Sequence, residues 1–79
     1  MTKSDIESIL LEIFESLFPQ VASEQLPQLK QTDIEQWDSM AQVNLIAAIE
    51  GEFDLVIDID SASKLQSFDE CVQYVHGQV

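Results

Sequence analysis

Residues 4–18 decide the fold class of this chain, and they read SDIESILLEIFESLF. Apolar side chains recur in this stretch at steps of three and four residues, at Ile6, Ile9, Leu10, Ile13, Phe14, Leu17 and Phe18. Such spacing predicts an amphipathic helix, since residues three and four apart share one helix face. Ser4 and Glu7 have the spacing of a capping box that begins it. Pro19 ends it, because the residue before a proline avoids the helical region.

Two more main helices are predicted further along the chain. Residues 38–53 form the second helix, with Asp38 as its N-cap. Residues 67–75 form the last, with a capping box at Ser67 and Glu70 and with Gly77 as its stop signal. Its predicted inward-facing residues are Phe68, Cys71, Val72, Tyr74 and Val75.

Two segments between these helices lack helical periodicity. Residues 21–37 predict a long loop with room for one helical turn, which apolar residues hold against the bundle: Leu26, Leu29, Ile34 and Trp37. Residues 54–66 are rich in β-branched side chains, but a lone strand would have no pairing partner. A buried loop that leads into a short helix near residues 61–65 is therefore expected. The sequence predicts an all-α fold, a small irregular bundle of three main helices and one short helix with a long first loop.

Size and charge limit the possible functions. The 79 residues include 15 Asp and Glu against three Lys, for a formal net charge of -12. One domain spanning residues 1–79 is expected, near the lower size limit for an unassisted core. The charge repels phosphate, which disfavours binding to nucleic acid or to an anionic membrane and favours a basic protein or a cation. No signal peptide or membrane span is evident, so a cytoplasmic monomer is expected.

Enzymatic and metal chemistry lack the residues that they need. Cys71 and His76 are the only cysteine and histidine, which excludes an intrachain disulfide and leaves zinc short of ligands. Asp58 could open a calcium loop, but the sixth position is then Ser63 rather than Gly and the twelfth is Asp69 rather than Glu. With no base placed beside a nucleophile, neither an enzyme nor a specific metal site is expected.

The second helix carries two apolar stripes at 100° per residue. One consists of Leu45, Ile46, Ile49 and Phe53, and the other, nearly opposite, consists of Met40, Val43 and Ala47. A helix of this kind is buried on two sides or docks a partner with its second stripe. Ser39 stands at its start, where the free amides of the first turn favour an attached phosphate.

The segments Trp37-Asp38-Ser39-Met40 and Ala48-Ile49-Glu50-Gly51-Glu52-Phe53, with Val43 and Leu45 between them, resemble the acyl carrier protein family. The family pattern is Asp-Ser-Leu, then Val-Glu-Leu, then an acidic stretch that ends in Phe. The resemblance extends over essentially the whole chain, because the length, the acidity and the order of the elements also agree.

The resemblance implies a discrete carrier that catalyses nothing itself. Ser39, in a motif with Asp38, would bear a 4'-phosphopantetheine arm that a phosphopantetheinyl transferase takes from coenzyme A. The arm would carry acyl groups as thioesters to the enzymes of fatty-acid, lipid or polyketide-type biosynthesis. Its partners would be loading ligases, synthases and transferases with basic docking patches. They would bind a surface formed by Met40, Val43, Asn44, Ala47, Glu50, Glu52, Asp54 and Asp58. Periodicity suggests an acyl-chain pocket lined by Ile46, Ile49, Phe53 and Leu65.

Several departures from the family pattern point away from the housekeeping fatty-acid role. Met40 replaces the usual Leu, Ala41 and Asn44 replace frequent acids, and Gly51 replaces another. Trp37 is interpreted as an anchor of the loop. The alternatives are an aminoacyl carrier, such as a D-alanyl carrier, and, in a different class, an unmodified acidic helical adaptor that binds basic proteins.

Overall fold

The computed structural model describes all residues from Met1 to Val79 and is all-α. Its four α-helices are α1 (Lys3–Leu17), α2 (Ser39–Phe53), α3 (Ile59–Ser63) and α4 (Phe68–Gln78). Two short 3-10 helices, Ser23–Gln28 and Gln31–Asp33, lie in the long first connection, where only one helical turn was expected. The all-α prediction is confirmed, since the single β-bridge, between Lys30 and Ser67, belongs to no strand.

The start of α1 lies two residues earlier than predicted. Thr2 Oγ1 accepts a hydrogen bond from the Asp5 amide at 3.1 Å, and Asp5 Oδ2 accepts one from the Thr2 amide at 3.3 Å. The predicted box at Ser4 and Glu7 is therefore wrong. Thr2 and Asp5 have the same three-residue spacing, and they extend the helix by two residues at its start.

The ends of α4 confirm one prediction and correct another. Ser67 Oγ accepts from the Glu70 amide at 3.0 Å, as expected of an N-cap, although Glu70 itself accepts from the Gln66 amide. Gly77 does not stop the helix, which continues to Gln78. A glycine ends a helix by adopting a positive φ, and no glycine does so in this chain.

The core is a single apolar cluster with an aromatic centre. All 17 buried residues are apolar, so every one of the 15 acidic side chains remains at or near the surface. Phe14 lies at the centre, with its ring 5.0 Å from Phe68, 5.5 Å from Trp37 and 6.0 Å from Phe18, measured between centroids. The predicted inner face of α4 is confirmed, with Tyr74 half-buried at its edge.

The first connection is held to the bundle at several points. Leu26, Leu29 and Trp37 are buried and Ile34 is half-buried, which confirms their interpretation as anchors. The backbone is fastened as well, because Leu29 O accepts from the Phe68 amide at 2.9 Å. The long loop is thereby a fixed support for the start of α2.

The segment between α2 and α4 differs most from its prediction. Ile57 and Leu65 are buried, but Val56 is 92% exposed and Ile59 is 86% exposed. The expected buried loop is therefore confirmed only in part, since Ile57 is buried and Leu55 is half-buried while Val56 faces solvent. The predicted short helix is present, but it spans Ile59–Ser63 and lies two residues earlier than residues 61–65. Asp54 makes the turn out of α2 in the left-handed region at φ 54°, which Asp tolerates better than most residues. None of the helices has both the length and the apolar character needed to cross a membrane.

Candidate functional site

Ser39 occupies the first position of α2 and is exposed. Asp38 precedes it as the N-cap, and its Oδ1 accepts a hydrogen bond from the Ala41 amide at 2.9 Å. The amides of Ser39 and Met40 have no carbonyl partner within the helix, as is general for a first turn. The Ser39 hydroxyl forms no hydrogen bond within the chain, so it is free to react with an incoming group.

Trp37 fixes the backbone that leads into this serine. Its ring is almost fully buried and lies 5.5 Å from the rings of both Phe14 and Phe18. Its Nε1 donates to Gln42 Oε1 at 2.6 Å. The interpretation of Trp37 as an anchor is confirmed, and Ser39 stands two residues from a point that the core holds in place.

The two stripes of α2 are separated as their spacing predicts. Leu45, Ile49 and Phe53 are buried in the core. On the other side, Met40 is 71% exposed and Val43 is 66% exposed, and Asn44 and Ala47 are exposed beside them. We call Met40, Val43, Asn44 and Ala47 the α2 outer face. Its role in docking stays a prediction.

Two of the four predicted docking acids are placed differently than expected. Glu50 is half-buried, and its Oε2 accepts from the Ile57 amide at 2.9 Å, so its carboxylate is committed to the chain. Glu52 borders a shallow hollow against α1, beside Ile9 and Leu17. Glu52 lies five residues after Ala47, and at 100° per residue its side chain is rotated by about 140° from that of Ala47. Glu52 therefore cannot share the α2 outer face.

The other two acids stay exposed at the ends of helices. Asp54 follows α2, and Asp58 caps α3. The acidic border of the outer face is thus smaller than the sequence suggests, and it lies toward α3.

No single open cavity joins the four residues of the predicted acyl-chain pocket, and that pocket stays a prediction. Ile49 and Phe53 are packed into the core on the inner stripe of α2, and Leu65, which follows α3, is buried there as well. Ile46 is different, since it is half-buried and lines an open groove of about 410 Å³ between α2 and α3. The residues that line this α2–α3 groove are Gln42, Val43, Ile46, Ala47, Glu50, Ile57, Ile59, Ala62 and Ser63.

A larger hollow lies in the first connection and carries none of the predicted site residues. Its volume is about 660 Å³, and Gln20, Gln25, Gln28 and Gln36 are among its lining residues. It is lined mainly by amide and aliphatic side chains, with Asp33 as its only charged residue. The Asp33 carboxylate accepts a hydrogen bond from the Lys30 amide at 3.0 Å, and none of the predicted site residues lines this hollow, so the α2–α3 side remains the candidate site.

Gln42 is the structural residue that the sequence does not reveal. Its side chain accepts from Trp37 and donates through Nε2 to Ala62 O and to Leu65 O, both at 3.0 Å. The partner carbonyls lie 20 and 23 positions away in the chain. Neither periodicity nor a local motif signals contacts at such separations.

Asp58 allows a prediction on pH. Its Oδ1 accepts from the Ser61 amide at 2.6 Å. This backbone hydrogen bond, then the Ser61 hydroxyl and more weakly Lys64, hold the pKa of Asp58 below its ordinary value of 3.8. Since the folded pKa is lowered, the cap stabilises α3 above pH 3.8 and is lost as the pH falls through the lowered pKa. Carbon-detected NMR titration should show Asp58 protonating below its ordinary pKa of 3.8, together with fraying of α3. Protonation of Asp58 at or above pH 3.8 would contradict this cap.

No protein-family model and no solved structure matches this chain. Its function therefore has to be inferred from the chemistry and geometry of the site.

Proposed function

We propose that this protein is a discrete acyl carrier protein and that Ser39 is its site of 4'-phosphopantetheine attachment. The observation that carries the proposal is the Ser39 hydroxyl, which is exposed and forms no hydrogen bond within the chain. It stands at the first turn of a helix, directly after Trp37 and Asp38, whose side chains are hydrogen-bonded to that helix. The order of a long helix, a long loop, a second long helix, a short helix and a last helix supports an acyl-carrier-type bundle.

The residues around Ser39 suit a phosphodiester. Ser39 Oγ would form the new bond to phosphorus, giving up its proton to a base of the transferase while the nucleotide part of coenzyme A leaves. The unpaired amides of the first turn and the helix dipole would stabilise the phosphate charge. Once attached, the arm supplies a thiol that holds an acyl group as a thioester.

The α2 outer face is the proposed docking surface for partner enzymes. The net charge of -12 attracts basic patches on a transferase, a loading ligase or the synthases and transferases that use the carried group. Met40 and Val43 supply apolar contact at the centre, and Asp54 and Asp58 supply charge toward α3. In place of the core positions first predicted, we assign shelter of a carried chain to the α2–α3 groove. A cytoplasmic monomer is proposed.

The α2 outer face also supports a specialised pathway rather than housekeeping fatty-acid synthesis. Asn44 lies on this face at a position where carriers of housekeeping fatty-acid synthesis usually have an acid. Glu50 uses its carboxylate to accept a hydrogen bond within the chain. We therefore propose that its partner enzymes depend less on charged contacts along α2 than the enzymes of fatty-acid synthesis do.

The proposal is tested by intact-protein mass spectrometry. The purified protein is incubated with coenzyme A, Mg²⁺ and a promiscuous phosphopantetheinyl transferase, and its mass is followed with time. The expected result is the gain of one phosphopantetheine group per chain. A correctly folded protein that gains none would contradict the carrier proposal and leave the unmodified acidic adaptor. Loading by an aminoacyl ligase but by no acyl ligase would favour the aminoacyl carrier.

Counting thiols gives an independent prediction. Burial raises the pKa of the Cys71 thiol from 9.0 to about 12, and the charge of Glu70 adds to the rise. Since the thiolate is the reactive form, native apo protein at pH 8 is expected to react negligibly with a disulfide reagent. The modified protein should show one reactive thiol natively, from the arm, and two in denaturant. Native apo protein that reacts as fast as denatured protein would show that Cys71 is not protected.

A further inference from the structure

The short helix α3 is attached to α2 by side-chain hydrogen bonds at both of its ends. Before α3 begins, Glu50 Oε2 accepts from the Ile57 amide at 2.9 Å. Where α3 ends, Gln42 Nε2 donates to Ala62 O and to Leu65 O. Both side chains come from α2, eight residues apart, and the α2–α3 groove lies between the two attachments.

Apolar packing does little to hold α3 itself in place. None of its five residues is buried, and Ile59, its largest side chain, is 86% exposed. The buried anchors, Ile57 and Leu65, lie outside the helix on either side. Hydrophobic burial therefore holds the flanks, whereas the side chains of Glu50 and Gln42 set the distance between α3 and α2.

The chemistry at position 42 requires an amide. The indole of Trp37 can only donate a hydrogen bond, and the carbonyls of Ala62 and Leu65 can only accept. Glutamine offers one acceptor and two donors at this length, and the arrangement uses all three. Glutamate would retain the acceptor for Trp37 but lose both donors to α3.

We propose that Gln42 and Glu50 are positioning residues that hold α3 beside α2 and set the opening of the α2–α3 groove. Gln42 also joins α3 to Trp37, which lies two residues before Ser39. The same side chain therefore fixes the position of α3 and the backbone that leads into Ser39. The inference that the groove takes up a carried acyl chain rests on the proposed carrier function. The inference that Gln42 and Glu50 position α3 does not depend on that function.

Amide hydrogen exchange of apo protein tests the positioning. In Gln42→Glu and in Glu50→Ala, the amides of Ala62, Lys64 and Leu65 are expected to exchange at least about tenfold faster, since each variant loses hydrogen bonds that hold the segment. Amides of α1 and α4 should keep their relative protection. Glu50→Gln, which retains an acceptor oxygen, should stay close to wild type.

Matched controls separate positioning from a change of charge. Gln78→Glu adds the same charge at the exposed last residue of α4, and Glu52→Ala removes the same charge from α2 where no hydrogen bond depends on it. Both should leave the protection of α3 unchanged. Wild-type protection of α3 in Gln42→Glu and Glu50→Ala would overturn the proposal, and so would equal acceleration throughout the chain.

Transferase kinetics give the second measurement. With α3 displaced, Gln42→Glu is expected to raise the KM of the transferase for the carrier about tenfold while kcat stays near wild type, the pattern of lost binding rather than lost chemistry. An unchanged KM in a variant with a loosened α3 would remove the link between α3 and the approach to Ser39. If wild type itself gains no phosphopantetheine, the carrier function fails, and the exchange experiment still decides the positioning.

Discussion

Replacing Ser39 with alanine is expected to abolish phosphopantetheine attachment completely while leaving the protein folded. The Ser39 hydroxyl forms no hydrogen bond within the chain, and Asp38 continues to cap the helix through the Ala41 amide. An exposed substitution of this kind changes the free energy of unfolding by no more than about 0.5 kcal/mol. Intact mass after incubation with transferase and coenzyme A measures the loss, and a thermal melt confirms the fold.

Ser8→Ala is the matched control, since Ser8 is an exposed helical serine on α1. It should be modified like wild type. A Ser39→Ala protein that still gains the group would place the attachment on another hydroxyl, and peptide mapping would identify it. Loss of modification in both variants would point to a failure of the assay and not to the site.

Replacing Phe14 with alanine is expected to produce the largest loss of stability of any single truncation. Phe14 is fully buried and its ring contacts three other aromatic rings, of Phe18, Trp37 and Phe68. Truncating a buried Phe costs about 3–5 kcal/mol. A domain of this length has a free energy of unfolding of about 4–12 kcal/mol in total, at roughly 0.05–0.15 kcal/mol per residue. Phe14→Ala should therefore remove at least about a quarter of the free energy of unfolding, and nearly all of it at the lower end of that range.

Urea denaturation followed by fluorescence measures this effect directly, because Trp37 is the only tryptophan and lies 5.5 Å from the Phe14 ring. Ile59→Ala is the informative comparison. Ile59 is also a large apolar residue, but it is 86% exposed, so its truncation should cost no more than about 0.5 kcal/mol. Similar losses for the two variants would show that the structure assigns them wrongly to core and surface.

Local sequence signals predicted all four helices, together with the end of α1, both ends of α2 and the start of α4. The periodicity of residues 4–18 predicts α1 because three- and four-residue spacing is imposed by the helix itself. Asp38 and Ser67 were identified as caps because a short polar side chain bonds an amide only three residues away. The error at Ser4 is also local, since Thr2 and Asp5 offer the same capping signal two residues earlier. Gly77 was misjudged because it keeps a negative φ and continues the helix.

The candidate site was predicted only where it depends on one helix. Asp38, Ser39 and the exposed side of α2 follow from the order of residues along that helix. Glu50 and Glu52 looked equivalent as nearby acids, but one reaches the Ile57 amide and the other turns toward α1. Which of the two carboxylates accepts a backbone hydrogen bond depends on the path of the chain after α2, and not on the chemistry of either residue.

By itself the sequence determined the all-α class, the helix starts at Asp38 and Ser67, and the two-sided character of α2, since each of these arises from contacts within a few residues. Only the tertiary structure decided that Ile59 is exposed, that Ile49 and Phe53 pack in the core, and that Gln42 joins Trp37 to α3. The physical reason is the scale of the interactions. Helix periodicity and capping act over three or four residues, whereas burial and the bonds of Gln42 depend on where segments 20 or more positions apart meet in space.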